Sequence, residues 1–245
     1  MQSLVLDIGN TAVKAGCFAN GLLREMATGL DAAQVLELLV RWQPQHLIVA
    51  SVAAEAPLRA DELRALVPGR VLELVPGTTA IPLRNSYATP HTLGADRLAA
   101  AVGAAYLRPG QATLVIDAGT ALKCDLVTAD GTYHGGSISL GLRMRLRALH
   151  EFTGRLPLLE LPPDATVSLT GDSTRSAILS GVVNGAVAEI SGFVAEYQRC
   201  WPGLGVVLTG GDAAFLATRL QARIFVVPEL VLLGLNRILA YNVEE

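Results

Sequence analysis

Two stretches decide the fold: Leu4-Val5-Leu6-Asp7-Ile8-Gly9-Asn10 and Leu114-Val115-Ile116-Asp117-Ala118-Gly119-Thr120. Each is a short apolar run, as expected of a buried strand, that ends in Asp-x-Gly. Leu, Val, Asp and Gly are identical in the two copies, and the third position is apolar in both. The downstream pattern repeats as well. After the first copy, residues 10–18 alternate as a second strand, Asn20-Gly21 marks a hairpin turn, and residues 22–26 complete a meander. After the second, strands over 121–128 and 132–140 flank an Asp130-Gly131 turn. Self-similarity with the same downstream order predicts a duplicated α/β protein. The halves would be 1–111 and 112–245, with a cleft between them.

The remaining pattern fills both halves. In the first, Asp31 caps a helix over 31–41 with Leu36, Leu39 and Val40 on one face. Next come a strand over 47–52, a helix over 54–66 and a strand over 71–75. Residues 76–93 read as loop. Gly94 opens an Ala-rich helix to 107, ended by Pro109-Gly110. In the second half a helix covers 142–152 and a loop 157–163. One long helix covers 174–200, or two joined near Gly181–Gly185. A strand over 205–208, a helix over 213–220, a strand over 224–227 and a helix over 230–241 close the chain.

Composition removes several classes of function. Of 245 residues, 51% are apolar and 17% charged, which excludes intrinsic disorder. No apolar run reaches the ~18–20 residues of a membrane span, and the N-terminus has no basic region before its apolar stretch. No membrane partner is expected. Cys17, Cys124 and Cys200 are odd in number and show no CxxC spacing, as in free thiols of a reducing cytoplasm. A net charge of −3 with 5% aromatics gives no basic stacking surface, so no nucleic acid is expected. His46, His91, His134 and His150 lack metal-ligand spacing. Arg143, Arg145 and Arg147, interleaved with apolar residues, read as a solvated helix face. There is no P-loop and no Ser-His-Asp arrangement.

Lysine usage carries a signal. The chain has seventeen Arg but only Lys14 and Lys123. A compact ammonium is a common phosphate binder. Lys14 comes seven residues after Asp7 and Lys123 six after Asp117, so both leave an Asp-x-Gly turn. Glycine in such a turn lets backbone N–H groups approach an anion. Asn10, Thr11 and Thr120 add side-chain donors, and the aspartates can meet Mg²⁺ through oxygen or bound water. Leu208-Thr209-Gly210-Gly211-Asp212-Ala213 is a third strand–turn–helix junction that could admit an adenine or ribose against bare backbone.

Two Asp-x-Gly turns and then such a glycine pair resemble the actin-like ATPase superfamily, which includes sugar and acetate kinases. The fold class this implies is α/β, with duplicated actin-like (ribonuclease H-like) domains. The resemblance narrows to type III pantothenate kinase. It is carried by Asp7-Ile-Gly-Asn-Thr-Ala-Val-Lys14, Gly94-Ala-Asp-Arg97, Asp117-Ala-Gly-Thr-Ala121 with Asp125, Gly135-Gly-Ser-Ile-Ser-Leu-Gly141 and Gly171-Asp-Ser-Thr174. It spans nearly the whole chain.

That resemblance implies ATP-dependent phosphorylation of pantothenate, the first step toward coenzyme A, in a cytoplasmic homodimer. Asp7, Ile8, Gly9, Asn10, Thr11, Lys14 and Thr120 would bind ATP. Tyr87, Gly94, Ala95, Asp96, Arg97 and Thr174 would contact pantothenate, with Asp96 as catalytic base. Arg97 can hold a carboxylate in bidentate fashion. Mg²⁺ is implied as cofactor, and a monovalent cation, K⁺ or NH₄⁺, at Asp117. This sequence departs from the family by Lys123 where Thr is usual and by Leu140 where Pro is common. Lys123 shares a strand face with Ala121 and Asp125, beside that cation position. The rival readings are an exopolyphosphatase-like hydrolase and a kinase-like binding or regulatory protein without turnover.

Overall fold

A computed structural model describes residues 2–52, 60–161 and 166–243. The chain packs as two compact units. One comprises the residues up to Gly110, Val127–Gly135 and the segment from Glu229; the other comprises Gln111–Leu126 and Gly136–Pro228. These units cut across the halves 1–111 and 112–245.

The first unit is built on β1 (Gln2–Ile8), β2 (Val13–Ala19), β3 (Leu22–Thr28), β4 (His46–Ser51) and β5 (Val71–Glu73), in the order β3-β2-β1-β4-β5. β1 to β3 form an antiparallel meander, and β4 and β5 are added in parallel. β1 is central and buried on both faces, which explains its unbroken apolar run. Leu4, Leu6 and Ile8 enter one core with Val13, Ala15, Cys17, Leu47 and Val49.

α1 (Ala32–Trp42) covers that core. Asp31 accepts from the Gln34 backbone N–H at 2.8 Å, and the Gln34 side chain accepts from the Asp31 N–H at 2.9 Å, a complete capping box. The buried stripe is Val35, Leu38 and Leu39. Leu36 and Val40, expected on that face, point outward, Val40 with 76% exposure. The helix is apolar on more than one side, so spacing alone does not choose the face. α2 (Ala60–Arg64) is the described part of the expected helix 54–66. Residues 54–59 of that helix, and 162–163 of the expected loop 157–163, lie outside the described residues.

Opposite α1, the β1 face carrying Ser3, Val5 and Asp7 meets α7 (Leu230–Val243), and the Ser3 hydroxyl donates to Asn236 at 2.7 Å. α7 packs on α3 (Ala95–Leu107) at close range. A Cβ on Gly234 would fall 1.8 Å from the Ala99 carbonyl oxygen, and one on Gly103 2.5 Å from that of Leu230. The Ala-rich composition of α3 is thus a close-packing surface. The expected loop 76–93 is not structureless. It contains a two-residue strand, β6 (Arg84–Asn85), and a 3₁₀ turn at Pro90–Thr92.

The second sheet contains β7 (Thr113–Ala118), β8 (Ala121–Val127), β9 (Thr132–Leu140), β10 (Gly205–Thr209) and β11 (Phe225–Val226), ordered β11-β10-β7-β8-β9-β6. Read from β9, the order β9-β8-β7-β10-β11 reproduces β3-β2-β1-β4-β5. β10 is parallel to β7 and β11, as β4 is to β1 and β5. The duplication in sequence is therefore a duplication of topology. α4 (Leu142–Glu151), α5 (Thr174–Cys200) and α6 (Ala213–Ala217) complete this unit. α5 is one continuous helix of 27 residues. By length and composition it could cross a membrane, contrary to the expectation from apolar runs. Its Ile178, Val182, Ala186, Ile190 and Val194 are buried with Leu114, Ile116, Leu122 and Leu208, as in a core helix.

Candidate active site

The two Asp-x-Gly turns are built alike. In the first unit β1 ends at Ile8, and the Gly9 N–H donates to the Ala12 carbonyl at 3.1 Å. In the second unit β7 ends at Ala118, and the Gly119 N–H donates to the Ala121 carbonyl at 3.1 Å. The second turn is one residue shorter. Lys14 and Lys123 therefore occupy the same place, two residues beyond the carbonyl that closes each turn. The six- and seven-residue spacings are one spacing, corrected for turn length.

In the first turn Asp7 is buried and lies directly opposite Lys14 in the β1–β2 register. Asn10 and Thr11 are exposed at the tip. The Ile8 side chain belongs to the core, so what Ile8 offers a ligand is main chain. In the second turn Thr120 is exposed, and Lys123 Nζ donates to Asp117 Oδ2 at 2.7 Å. Gly141 supports this turn. Its N–H donates to the Thr120 carbonyl at 3.1 Å, and a Cβ there would stand 2.2 Å from the Gly119 oxygen. Gly210, at φ 97, crosses just above: its Cβ would stand 2.4 Å from the Ala118 oxygen and 2.6 Å from Asp117 Oδ1. The Asp212 N–H also donates to the Ala118 carbonyl, at 2.9 Å. Gly210 and the Asp212 main chain thus pack on the Asp-x-Gly turn of their own unit, while Gly211 faces open space.

Only part of the expected basic face on α4 is solvated. Arg143 pairs with the buried Asp212 at 2.5 Å. Arg145 is half-buried, paired with Glu189 and donating to the Leu140 carbonyl at 2.8 Å. Arg143, despite that pairing, and Arg147, with Glu151 one turn on, are the exposed members.

The Gly94–Arg97 motif lies in the first unit, where Gly94 is the N-cap of α3. Asp96 Oδ1 accepts from the Arg97 backbone N–H at 2.8 Å. A Cβ on Gly94 would lie 2.6 Å from that oxygen, so glycine gives the carboxylate its room. Ala95 is buried beneath. Arg97 is only 5% exposed, and its guanidinium carbon lies 5.5 Å from the Tyr87 ring centroid. Tyr87 is held in place: its N–H donates to Asn85 Oδ1 at 3.0 Å, and its ring lies 6.2 Å from that of the fully buried Tyr133. Gly135, at φ 81, closes the arrangement, because a Cβ there would come 2.6 Å from the Tyr87 ring.

The structure thus brings Tyr87, Gly94, Ala95, Asp96 and Arg97 together, and it adds three residues that sequence reasoning missed in this role. Asn85 and Tyr133 are held by pairing of β6 with the start of β9, where Asn85 is opposite Tyr133. Gly135 was visible within the Gly-Gly motif, but what it packs against was not. Thr174, in the second unit, is the exposed first residue of α5 after the Ser173 N-cap. The preceding segment folds back tightly, since a Cβ on Gly171 would stand 2.2 Å from the Ala177 nitrogen.

Electrostatics separates the cofactor groups. Among the described residues no cluster of three His, Cys, Asp or Glu forms a metal centre. Mg²⁺ binds through one or two carboxylates plus substrate phosphates, so Asp7 at its turn fits that role without such a cluster. The monovalent cation implied at Asp117 does not fit in the same way, because an ammonium already bonds that carboxylate.

Duplicated α/β sheets with an Asp-x-Gly turn in each define an actin-like kinase fold. Solved structures agree. The chain superposes on a conserved protein of Campylobacter jejuni assigned to the Baf family of transcriptional activators, with a TM-score of 0.66 at 21% identity, covering 99% of this chain and 100% of that one. It also superposes on the inorganic polyphosphate/ATP-glucomannokinase of an Arthrobacter species, with a TM-score of 0.52 at 15% identity, covering 98% and 99%. Within that fold the chain belongs to the type III pantothenate kinase family. The family model of that description matches residues 3–196. A type III pantothenate kinase of Cytophaga hutchinsonii is 42% identical over 242 residues, 99% of this chain and all of that protein.

Proposed function

We propose that this chain transfers the γ-phosphoryl group of ATP to the terminal hydroxyl of pantothenate, with Asp96 as the base and Arg97 and Tyr87 holding the acceptor. The observation that carries this is Arg97, a buried guanidinium lying over the Tyr87 ring and adjacent to a half-exposed carboxylate. A buried Arg beside an Asp suits an acceptor that bears both a carboxylate and an alcohol. A hydrolase needs a base to activate water but no anchor for the carboxylate of an alcohol acceptor.

In this reading Arg97 takes the pantothenate carboxylate as a planar fork. The bond from the Arg97 N–H orients Asp96, and a carboxylate accepts up to about four hydrogen bonds, so it can also receive the hydroxyl. As the hydroxyl oxygen bonds to the γ-phosphorus, its proton passes to Asp96. The bond from phosphorus to the β–γ bridging oxygen breaks, and ADP leaves. The transition state is loose, so positioning and charge neutralisation dominate. The backbone of Gly9 with Asn10, Thr11 and Lys14, and Thr120 on the other turn, present donors for ATP phosphates. Asp7 would help to hold magnesium, which when bound would neutralise phosphate charge. Thr174 offers a hydroxyl at a helix N-terminus, a favourable place for an anionic group.

The testing assay is ADP release with and without pantothenate. Release that requires pantothenate supports the kinase, release without it supports the hydrolase, and no release supports the binding protein. A cytoplasmic homodimer is proposed with it. Three unpaired thiols agree with a reducing compartment. Exposed Ile138 and Leu140 on β9, with Met144 on α4, supply apolar surface for self-association. Light scattering on the eluted protein checks the stoichiometry.

A further inference from the structure

We infer that Lys123 is a tethered cation: its ammonium supplies at Asp117 the single positive charge that a bound monovalent ion would otherwise bring. The inference rests on the kinase reading and concerns its ion requirement. Lys123 Nζ lies 2.7 Å from Asp117 Oδ2, and the two side chains are only 14% and 15% exposed. An amine in that setting is bonded, not snorkelling to solvent. Asp117 Oδ1 faces Gly119 and Gly210, whose added Cβ atoms would stand 3.5 and 2.6 Å away. One carboxylate oxygen is thus beside bare backbone and the other is held by the ammonium.

A second monovalent charge on the same carboxylate would sit beside Lys123 where water screens it poorly. Residue choice points the same way. A chain with seventeen arginines keeps lysine, a compact donor and not a planar fork, at the two equivalent turn positions. Threonine at position 123 would leave Asp117 without this partner and open to a free ion.

The test uses the full chain with Mg·ATP and pantothenate in tetramethylammonium buffer, with K⁺ or NH₄⁺ exchanged in at constant ionic strength. Crystals soaked in a thallium(I) salt give a readout independent of activity, since thallium reports a K⁺ site by anomalous scattering. For the native protein, the expected change in kcat/KM is less than about twofold, with no thallium on Asp117. Lys123→Thr is expected to gain at least about fivefold on adding K⁺ or NH₄⁺, and to bind thallium at Asp117. Larger activation of the native protein, or thallium on its Asp117, overturns the inference. So does a folded Lys123→Thr that neither responds nor binds thallium. If that variant does not fold, the native soak decides alone. If the chain is not a pantothenate kinase, the activity arm fails in every buffer while the thallium arm still reports.

Discussion

The Arg97 guanidinium lies over the Tyr87 ring, its central carbon 5.5 Å from the ring centroid, while Arg97 itself is nearly inaccessible. A buried cation on an aromatic face is fixed in direction as well as in place. A short element, β6, carries Asn85 and so sets Tyr87, and Tyr87 in turn sets the fork.

Arg97→Lys tests the fork. A point ammonium keeps the charge but loses bidentate geometry and the flat stacking surface. The expected result is a rise in KM for pantothenate of about tenfold or more, with kcat changed far less. Steady-state kinetics at saturating ATP checks it; an unchanged KM would show that Arg97 does not meet the acceptor.

Gly135→Ala tests the support behind Tyr87. The added methyl meets the ring at 2.6 Å, and φ 81 strains any L side chain. The fold should lose about 1–3 kcal/mol, and KM for pantothenate should rise while KM for ATP stays near its native value. Thermal melts with parallel titrations of the two substrates separate these effects.

Much of this was legible in the sequence, and what was not has identifiable causes. The repeated strand–Asp-x-Gly–meander pattern is local, and both sheets obey it. The Asp31 N-cap and the end points of α5 were also readable, because caps and helical runs are local, whereas the sequence left open whether α5 is one helix or two. The buried face of α1 was not, since its apolar residues outnumber one stripe. β6 was invisible because two residues carry no periodicity, and only pairing with β9 makes them a strand. The candidate residues at 94–97 could be picked out as a motif, but the roles of Tyr133 and Gly135 depend on contacts about fifty residues apart in sequence. The Lys123–Asp117 bond was half-legible: spacing placed both residues at the turn, and the folded strand pair joins them.

Thiol reactivity tests the two cores. Burial pushes the Cys17 thiol up to about 11 and the Cys124 thiol up to about 12. Only Cys200 is exposed. In native protein near pH 8, a thiol reagent should modify one cysteine quickly, and all three only after unfolding. Stability should depend on pH with a definite sign. Unfolded thiols near 9 release their protons before the buried ones do. The stabilisation is therefore complete below about pH 9 and is lost as pH rises toward 11–12. Urea melts at pH 8 and pH 10.5 compare the two regimes, and Cys124→Ser should flatten the decline.

The central claim is that Asp96 accepts the proton of a pantothenate hydroxyl. The most direct measurement is pantothenate-dependent ADP release by native protein and by Asp96→Asn, alongside calorimetric ATP binding. Asn is nearly isosteric and keeps an oxygen for the Arg97 N–H, so the fold and ATP affinity should be retained. The turnover number should fall by about 10²–10⁴. A native protein whose ADP release ignores pantothenate, or an Asp96→Asn variant within about threefold of native turnover, would contradict the account.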